Sequence, residues 1–248
     1  MMRKKWKPSF LVQVKWMKIN CNDINEAFVS LISNPNQIIT IDANIIIPPD
    51  RRACGAKTRI EFKQFEKNWL EPLFETFSGL SLHEAIHNEI LKENEQLRAY
   101  IDNKISNENS LVLYKDSDLS QEQMNVRNTI EAKIAPNTAY NPALDNKDDK
   151  GEVKTLAFIA AKELLYFASN DANSLNLVER AEELGTSLDN VQTIHYYEII
   201  YYFYKKACVD KESMRMLYKY SYYLTKKERG YNPSWGDFIE QMDTLYGA

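Results

Sequence analysis

Residues 37–47 read QIITIDANIII. The run is almost wholly apolar and rich in β-branched side chains, interrupted by Thr40 and by Asp42-Ala43-Asn44. Such a run suits a strand buried on both faces, as in a parallel sheet. Pro48-Pro49 closes it. Asp42 then sits toward the carboxyl end of a buried strand, where a charged carboxylate is costly unless it is paired or binds a cation.

Helical and strand signals alternate on either side of this run. Before it, residues 22–33 suit a short helix with Ile24, Phe28, Leu31 and Ile32 on one side, and Ser33-Asn34-Pro35-Asn36 marks a turn. After it, residues 50–60 are polar and basic, and an aromatic-rich helix is expected over 60–77. A short strand is expected at Leu80-Ser81-Leu82, followed by a helix over 83–100. Residues 106–150 are rich in Asn and Asp, with a helix expected near 120–134 and a loop over 136–150. A helix over 152–161 leads to a second buried strand, LLYFA at 164–168. An amphipathic helix over 174–184 ends at Gly185, and a short strand is expected near 188–193. From about His195 onward the chain reads as helical and full of tyrosine. Strands alternating with helices predict an α/β fold with a mostly parallel sheet.

Composition narrows the class. The chain has 248 residues, 44% hydrophobic and 27% charged, with a formal net charge of -4. That describes a soluble globular protein rather than a disordered one. The mild acidity opposes blanket coating of nucleic acid, although a local basic patch remains able to hold a phosphate backbone. Cys21, Cys54 and Cys208 form no disulfide framework and no zinc ribbon, which fits reduced thiols in a cytoplasmic protein. No run approaches the roughly 20 apolar residues that span a bilayer. The basic N-terminal stretch carries Lys15 and Lys18 in its apolar patch and has no small-residue cleavage site, so it is not read as a signal peptide.

In parallel sheets functional residues gather at the carboxyl ends of strands. Asp42 is one such acid, with Asn44 two residues on. Asp171 follows the LLYFA strand in Ser169-Asn170-Asp171. Glu89 lies about two turns into the helix expected from His83, and Glu152 opens the next. Carboxylates that converge without neighbouring Lys or Arg repel one another, and a hard divalent ion such as Mg²⁺ or Mn²⁺ removes that repulsion.

In order and placement these motifs resemble those of PIN-domain nucleases over residues 37–200. The resemblance rests on Asp42-Ala43-Asn44 after a strand, Glu89-Ile90 in a helix, Gly151-Glu152 opening a helix, and Ser169-Asn170-Asp171 after a strand. It implies a three-layer α/β/α domain in which Asp42, Glu89, Glu152 and Asp171 form a catalytic, metal-binding quartet. It also implies Asn44, Ser169 and Asn170 as supporting polar groups, and cleavage of RNA with Mg²⁺ or Mn²⁺. Many PIN proteins are toxins neutralised by an inhibitor (antitoxin) protein, so such a partner and a homo-oligomer are both considered. Residues 1–36 would be a basic arm and helix, and 201–248 a helical C-terminal extension. Asp145, Asp148 and Asp149 precede Glu152 and are alternatives to it.

Other readings compete. His83-Glu84-Ala85-Ile86-His87 matches H-E-x-x-H, which on a helix presents two histidines to Zn²⁺ with Glu84 as general base of a hydrolase. No further histidine follows at metzincin spacing. A non-catalytic binding protein is the third possibility. Arg51, Arg52, Lys57 and Arg59 closely follow the Asp42 strand and are candidates for holding substrate phosphates. The arm with Arg3, Lys4, Lys5, Trp6 and Lys7 reads either as a phosphate-contacting segment or as a solubilising tail. Tyr196, Tyr197, Tyr201, Tyr202 and Tyr204 read as base-stacking groups, as core, or as a dimer surface.

Overall fold

A computed structural model describes residues 18–91, 95–206 and 209–247. The basic arm and Cys208 lie outside them. The chain opens with α1 (Glu26–Ser33), β1 (Ile39–Ile41) and α2 (Ala43–Ile46). Next come α3 (Phe62–Phe65), a π turn (Glu66–Leu70) and α4 (Glu71–Thr76), which run on without a break as the helix expected over 60–77. Then follow β2 (Leu80–His83), α5 (Glu84–Ile90), α6 (Glu95–Ser106), β3 (Val112–Tyr114), α7 (Gln121–Ile134) and α8 (Lys150–Ala161). The remainder is β4 (Tyr166–Ser169), α9 (Ala172–Glu179), α10 (Ala181–Leu184), β5 (Gln192–His195), α11 (Tyr196–Lys205), α12 (Lys211–Tyr222), α13 (Glu228–Tyr231) and α14 (Trp235–Tyr246).

The fold is mixed α/β around one five-stranded sheet of order β3-β2-β1-β4-β5, with every neighbouring pair parallel. The chain builds outward from β1 to β2 and β3, then returns to the other side of β1 for β4 and β5. The order therefore switches between β1 and β4. At such a switch the flanking connections leave in opposite directions and open a crevice at the carboxyl ends of the strands.

Side chains alternate across the strands, and the core follows that alternation. Tyr166 and Ala168 of β4 join a cluster with Phe28, Trp69, Tyr196, Tyr218 and Phe238. Phe167, between them, joins a second cluster with Ile130, Ile134, Val153, Leu156 and Leu177. Helices thus cover both faces. The first cluster also takes Ile19 from before residue 37 and Leu217 and Met242 from after residue 200, so all three expected segments share one core. Among the described residues, no helix is long and apolar enough to cross a membrane.

The structure corrects several boundaries. Residues 37–47 are not one strand. β1 stops at Ile41, and Asp42 caps α2 by accepting a hydrogen bond from the Ala43 amide at 2.7 Å. Ile45 and Ile46 of α2 are as fully buried as the strand, and a short buried apolar run does not by itself distinguish strand from helix. Trp69 holds this turn in place by donating its indole N–H to the Ile45 carbonyl at 2.7 Å. The helix expected over 83–100 is α5 and α6, and His83 is the last residue of β2. β3 was not expected, although Leu111-Val112-Leu113-Tyr114 is apolar; it is a three-residue edge strand whose Val112 is exposed. β5 begins at Gln192, because Leu188 and Val191 enter the core from the preceding loop.

Gly79 sits where β1 and β2 begin, its carbonyl accepting from the Ile39 amide at 2.9 Å. A Cβ there would collide with the Gln37 carbonyl oxygen and lie 2.7 Å from its carbon. Backbone cannot yield as a side chain can, so Gly79→Ala is expected to cost about 1–3 kcal/mol in urea unfolding. Gly230→Ala, with nothing within 4 Å of the added carbon, is the control and should leave stability unchanged or slightly raised.

Candidate functional site

Asp42 leaves β1 at the switch point. Its amide donates to the Ala168 carbonyl of β4 at 2.9 Å, fixing the residue beside that strand's end. The carboxylate is almost wholly buried, at 2% exposure. It accepts from the Ala43 amide at 2.7 Å, from the Ser169 hydroxyl at 2.7 Å, and from the Asn44 amide group. Asn44 in turn reaches Ser169 at 3.1 Å and accepts from the Asn170 amide at 2.6 Å. The polar residues around Asp42 therefore lock the β1 and β4 ends together.

Asp171 caps α9, with one oxygen accepting from the Asn173 amide at 2.6 Å and the Ser174 amide at 3.1 Å. Its own amide donates to Ser169 at 2.9 Å. Glu89 approaches from α5 against Gly151 of α8, where a Cβ would meet the Glu89 carboxylate, with its carbon at 2.8 Å. Glycine at 151 is thus what lets α8 come close to Glu89. Glu152 follows on α8. Its residue keeps some exposure, yet its Oε2 is buried and has no hydrogen-bond partner among the described residues.

Asp42, Glu89, Glu152 and Asp171 line one cleft of about 600 Å³. Asp50 and Glu61 add two further acids to its wall, and Arg59 is its one cation among the described residues. Glu89 and Glu152 also border an adjoining space of about 470 Å³ toward Asn88, Lys147 and Asp149. Burial pushes the Asp42 carboxyl up to about 7, against the opposing pull of Ser169 and with Asp171 and Glu89 adding repulsion. Glu152 is raised well above the usual carboxylate range, first by burial and then by Asp42, Asp171, Asp149 and Glu89. Two acids held up by burial and then by mutual repulsion, one with an oxygen lacking any donor among the described residues, are a poor arrangement without a cation and a suitable one with it. Every candidate donor is oxygen, which fits Mg²⁺ or Mn²⁺.

The alternatives to Glu152 have other partners. Asp145 pairs with Lys150 and with Lys154 at 3.2 Å and accepts from Tyr140 at 3.0 Å. Those contacts, Lys150 first, hold its carboxyl far below the usual range. Asp149 accepts from the Ala139 amide at 2.8 Å and borders only the adjoining space, while Asp148 lines neither.

The basic residues divide. Arg59 lines the cleft. Arg51 does not; it is half-buried, ion-paired with Glu228, and donates to the Ser221 carbonyl at 2.5 Å. Arg52 is spent on Asp50 at 2.5 Å, and Lys57 is exposed away from the cleft. Three of the five tail tyrosines, Tyr196, Tyr197 and Tyr201, are buried, which removes them as base-stacking groups, and Tyr202 and Tyr204, partly buried against the same core, do not line the cleft.

The H-E-x-x-H stretch does not present paired histidines. His83 ends a strand, is buried against Phe158 with ring centroids 4.8 Å apart, and points Nε2 at Asp116, 3.3 Å away. His87, on α5, meets Asp102 at 3.0 Å. Ligand atoms of His83, Glu84 and Asp116 do lie within 4.8 Å of one another, closer than those of the cleft acids. However, Arg127 lies 3.2 Å from Asp116 and also pairs with Glu131. A guanidinium already neutralises this group, so it reads as a buried ion-pair network rather than a cation site.

Gln96 and Tyr222 had no signal in the sequence. Gln96 lines the wall from α6. Tyr222, fully buried on α12, donates to Asn170 Oδ1 at 2.5 Å and so steadies the β4 end from behind. Neither lies near a strand end or motif, and only packing brings them there. Compared with known families and with curated proteins, the chain matches no family model and no curated sequence.

The pH dependence of folding should report on Asp42. The unfolded chain ionises this group near pH 4. The folded chain keeps it protonated to about pH 7. Folded protein thus holds the extra proton across that window, and stability in a chelator should fall as pH rises through it, by on the order of 2–4 kcal/mol at this group. Asp42→Asn should flatten the profile, and Mn²⁺ should restore wild-type stability at pH about 8. Urea unfolding at several pH values, with and without Mn²⁺, checks this; a slope unchanged by Asp42→Asn would refute the assignment.

Proposed function

We propose that this chain is a Mg²⁺- or Mn²⁺-dependent nuclease of the PIN type that hydrolyses phosphodiester bonds in RNA. The observation that supports it most is the meeting of Asp42, Glu89, Glu152 and Asp171 in one cleft at the sheet's switch point, with a buried, unpartnered Glu152 oxygen among them. A divalent ion bound there would supply charge neutralisation at the diester and make water acidic enough to attack near neutral pH.

The chain's own residues do the positioning. Ala43, Asn44 and Ser169 fix the Asp42 carboxylate, and the first turn of α9 fixes Asp171. Both acids are therefore oriented before any substrate arrives, so no reorganisation is needed at the reaction. Arg59 offers a guanidinium to a substrate phosphate at the cleft wall. No protein nucleophile is required. A zinc hydrolase built on His83, Glu84 and His87 finds no support, because the two histidines face different acids.

Mn²⁺-dependent cleavage of a labelled RNA by purified protein tests the reading. Asp42→Asn is expected to lower turnover about 10²-fold or more. Gly151→Ala keeps all four acids but displaces Glu89, and should cost about 10–100-fold. His87→Ala should cleave like wild type. Activity that survives Asp42→Asn, or that disappears with His87→Ala alongside tight zinc binding, would refute the proposal.

A further inference from the structure

Among the described residues the acidic cleft holds one cation, yet the proposed substrate is a polyanion and the whole chain has a net charge of -4. Attraction for the flanking phosphates has to be local and lie outside the cleft. An open groove of about 620 Å³ along α12 and the segment after it has that character. Arg215, Lys219 and Arg229 line it with Tyr220 and Tyr223, against one acid, Glu212.

Arg215 and Lys219 are exposed and four residues apart, so they share one face of α12. Arg215 lies 3.5 Å from Glu212 in an exposed pair, a contact that water and salt weaken readily. Lys219 has no acid within 4.0 Å among the described residues. Arg229 is braced by the Leu224 and Thr225 carbonyls at 3.2 and 3.3 Å.

The groove adjoins the cleft through one segment. Tyr220 donates its hydroxyl to the Thr58 carbonyl at 3.0 Å and accepts from the Arg51 amide at 3.0 Å. Asp50, Arg59 and Ile60 of that same segment line the acidic cleft. Residues 50–61 thus hydrogen-bond Tyr220 of the groove and also supply Asp50, Arg59, Ile60 and Glu61 to the cleft wall.

We infer that this groove is an exosite for single-stranded nucleic acid, holding one part of a strand whose neighbouring part enters the acidic cleft; the inference rests on the nuclease reading above. Cations along a helix face follow a phosphate backbone, and tyrosine rings beside them stack on unpaired bases. A duplex hides those base faces, so single strands are the substrate class selected.

Fluorescence anisotropy with a labelled oligouridine of about 12 nucleotides, in EDTA so that no cleavage occurs, reads this directly. The double variant Arg215→Glu/Lys219→Glu should bind at least tenfold more weakly. Its slope of log affinity against log salt should be shallower by about 1.4, the loss of two phosphate contacts on a single strand. Tyr223→Ala should weaken binding about tenfold. With Mn²⁺, all three proteins should hydrolyse the small diester bis-p-nitrophenyl phosphate at the same rate, because it does not reach the groove. Unchanged affinity and slope in the variants overturns the inference, as does a duplex binding as tightly as the single strand. Binding only of an acidic protein, with no oligouridine binding by wild type, overturns it too. Wild type that cleaves RNA while the variants bind normally removes the exosite alone. Wild type that binds as expected yet cleaves neither substrate removes the nuclease reading and leaves a single-strand binding groove.

Discussion

A carboxylate, that of Asp42, is buried at the carboxyl end of the central strand of a parallel sheet. Leaving it there charged and unsupported would cost several kcal/mol. Its surroundings reduce that cost from two sides. α2 begins at Asp42, so the Ala43 amide is available as a donor. β4 ends beside it, so Ser169 is available as another. The remaining acids oppose this support, and burial with repulsion leaves Asp42 raised to about 7. The site is therefore poised: organised by hydrogen bonds, and electrostatically unsatisfied until a positive charge arrives.

The C-terminal helices belong to that organisation. Tyr222 of α12 holds Asn170, whose amide holds Asn44, whose side chain holds Asp42. Arg51 clasps Glu228 and the end of α12, which anchors the segment carrying Arg59 into the cleft wall. Asn25 from α1's cap reaches buried Glu198 at 3.0 Å and the Thr193 carbonyl at 2.9 Å, tying the N-terminal helix to β5 and α11. Removing the tail would uncover Phe28, Tyr196 and Tyr197, which pack against Tyr246, Tyr222 and Phe238, and would also loosen the support behind Asp42.

Two groups of acids in one molecule show how surroundings separate their roles. Asp116 is buried enough to be pushed upward, but His83 and Arg127 overcome that and hold it below its ordinary value. It is spent on ion pairs. Glu152 is driven upward by burial and then by Asp42, Asp171, Asp149 and Glu89. The first arrangement is neutralised by its own ion pairs; the second is the one to which the proposal assigns a divalent cation.

The alternation of apolar runs with helical patterns was legible in the residues, and with it the α/β class and the parallel sheet. Both are local consequences of periodicity and burial. Acids placed just after such runs, Asp42 and Asp171, were legible for the same reason, because a strand's end is marked by its own sequence. Boundaries inside buried apolar segments were not, since Ile39–Ile41 and Ala43–Ile46 look alike to composition and differ only in Asp42's capping bond. The fate of each charge was not legible either. Arg51 and Arg59 read identically in the chain, yet one is clasped by Glu228 from 177 residues away and the other faces the cleft. Likewise Asp145 and Glu152 stand seven residues apart, and only the approach of Lys150 and Lys154 to one, and of α5 across Gly151 to the other, separates them. Local sequence determined which elements form and which acids end them; tertiary packing alone decided which charges meet, because ion pairs and clefts are made between segments that no local pattern relates.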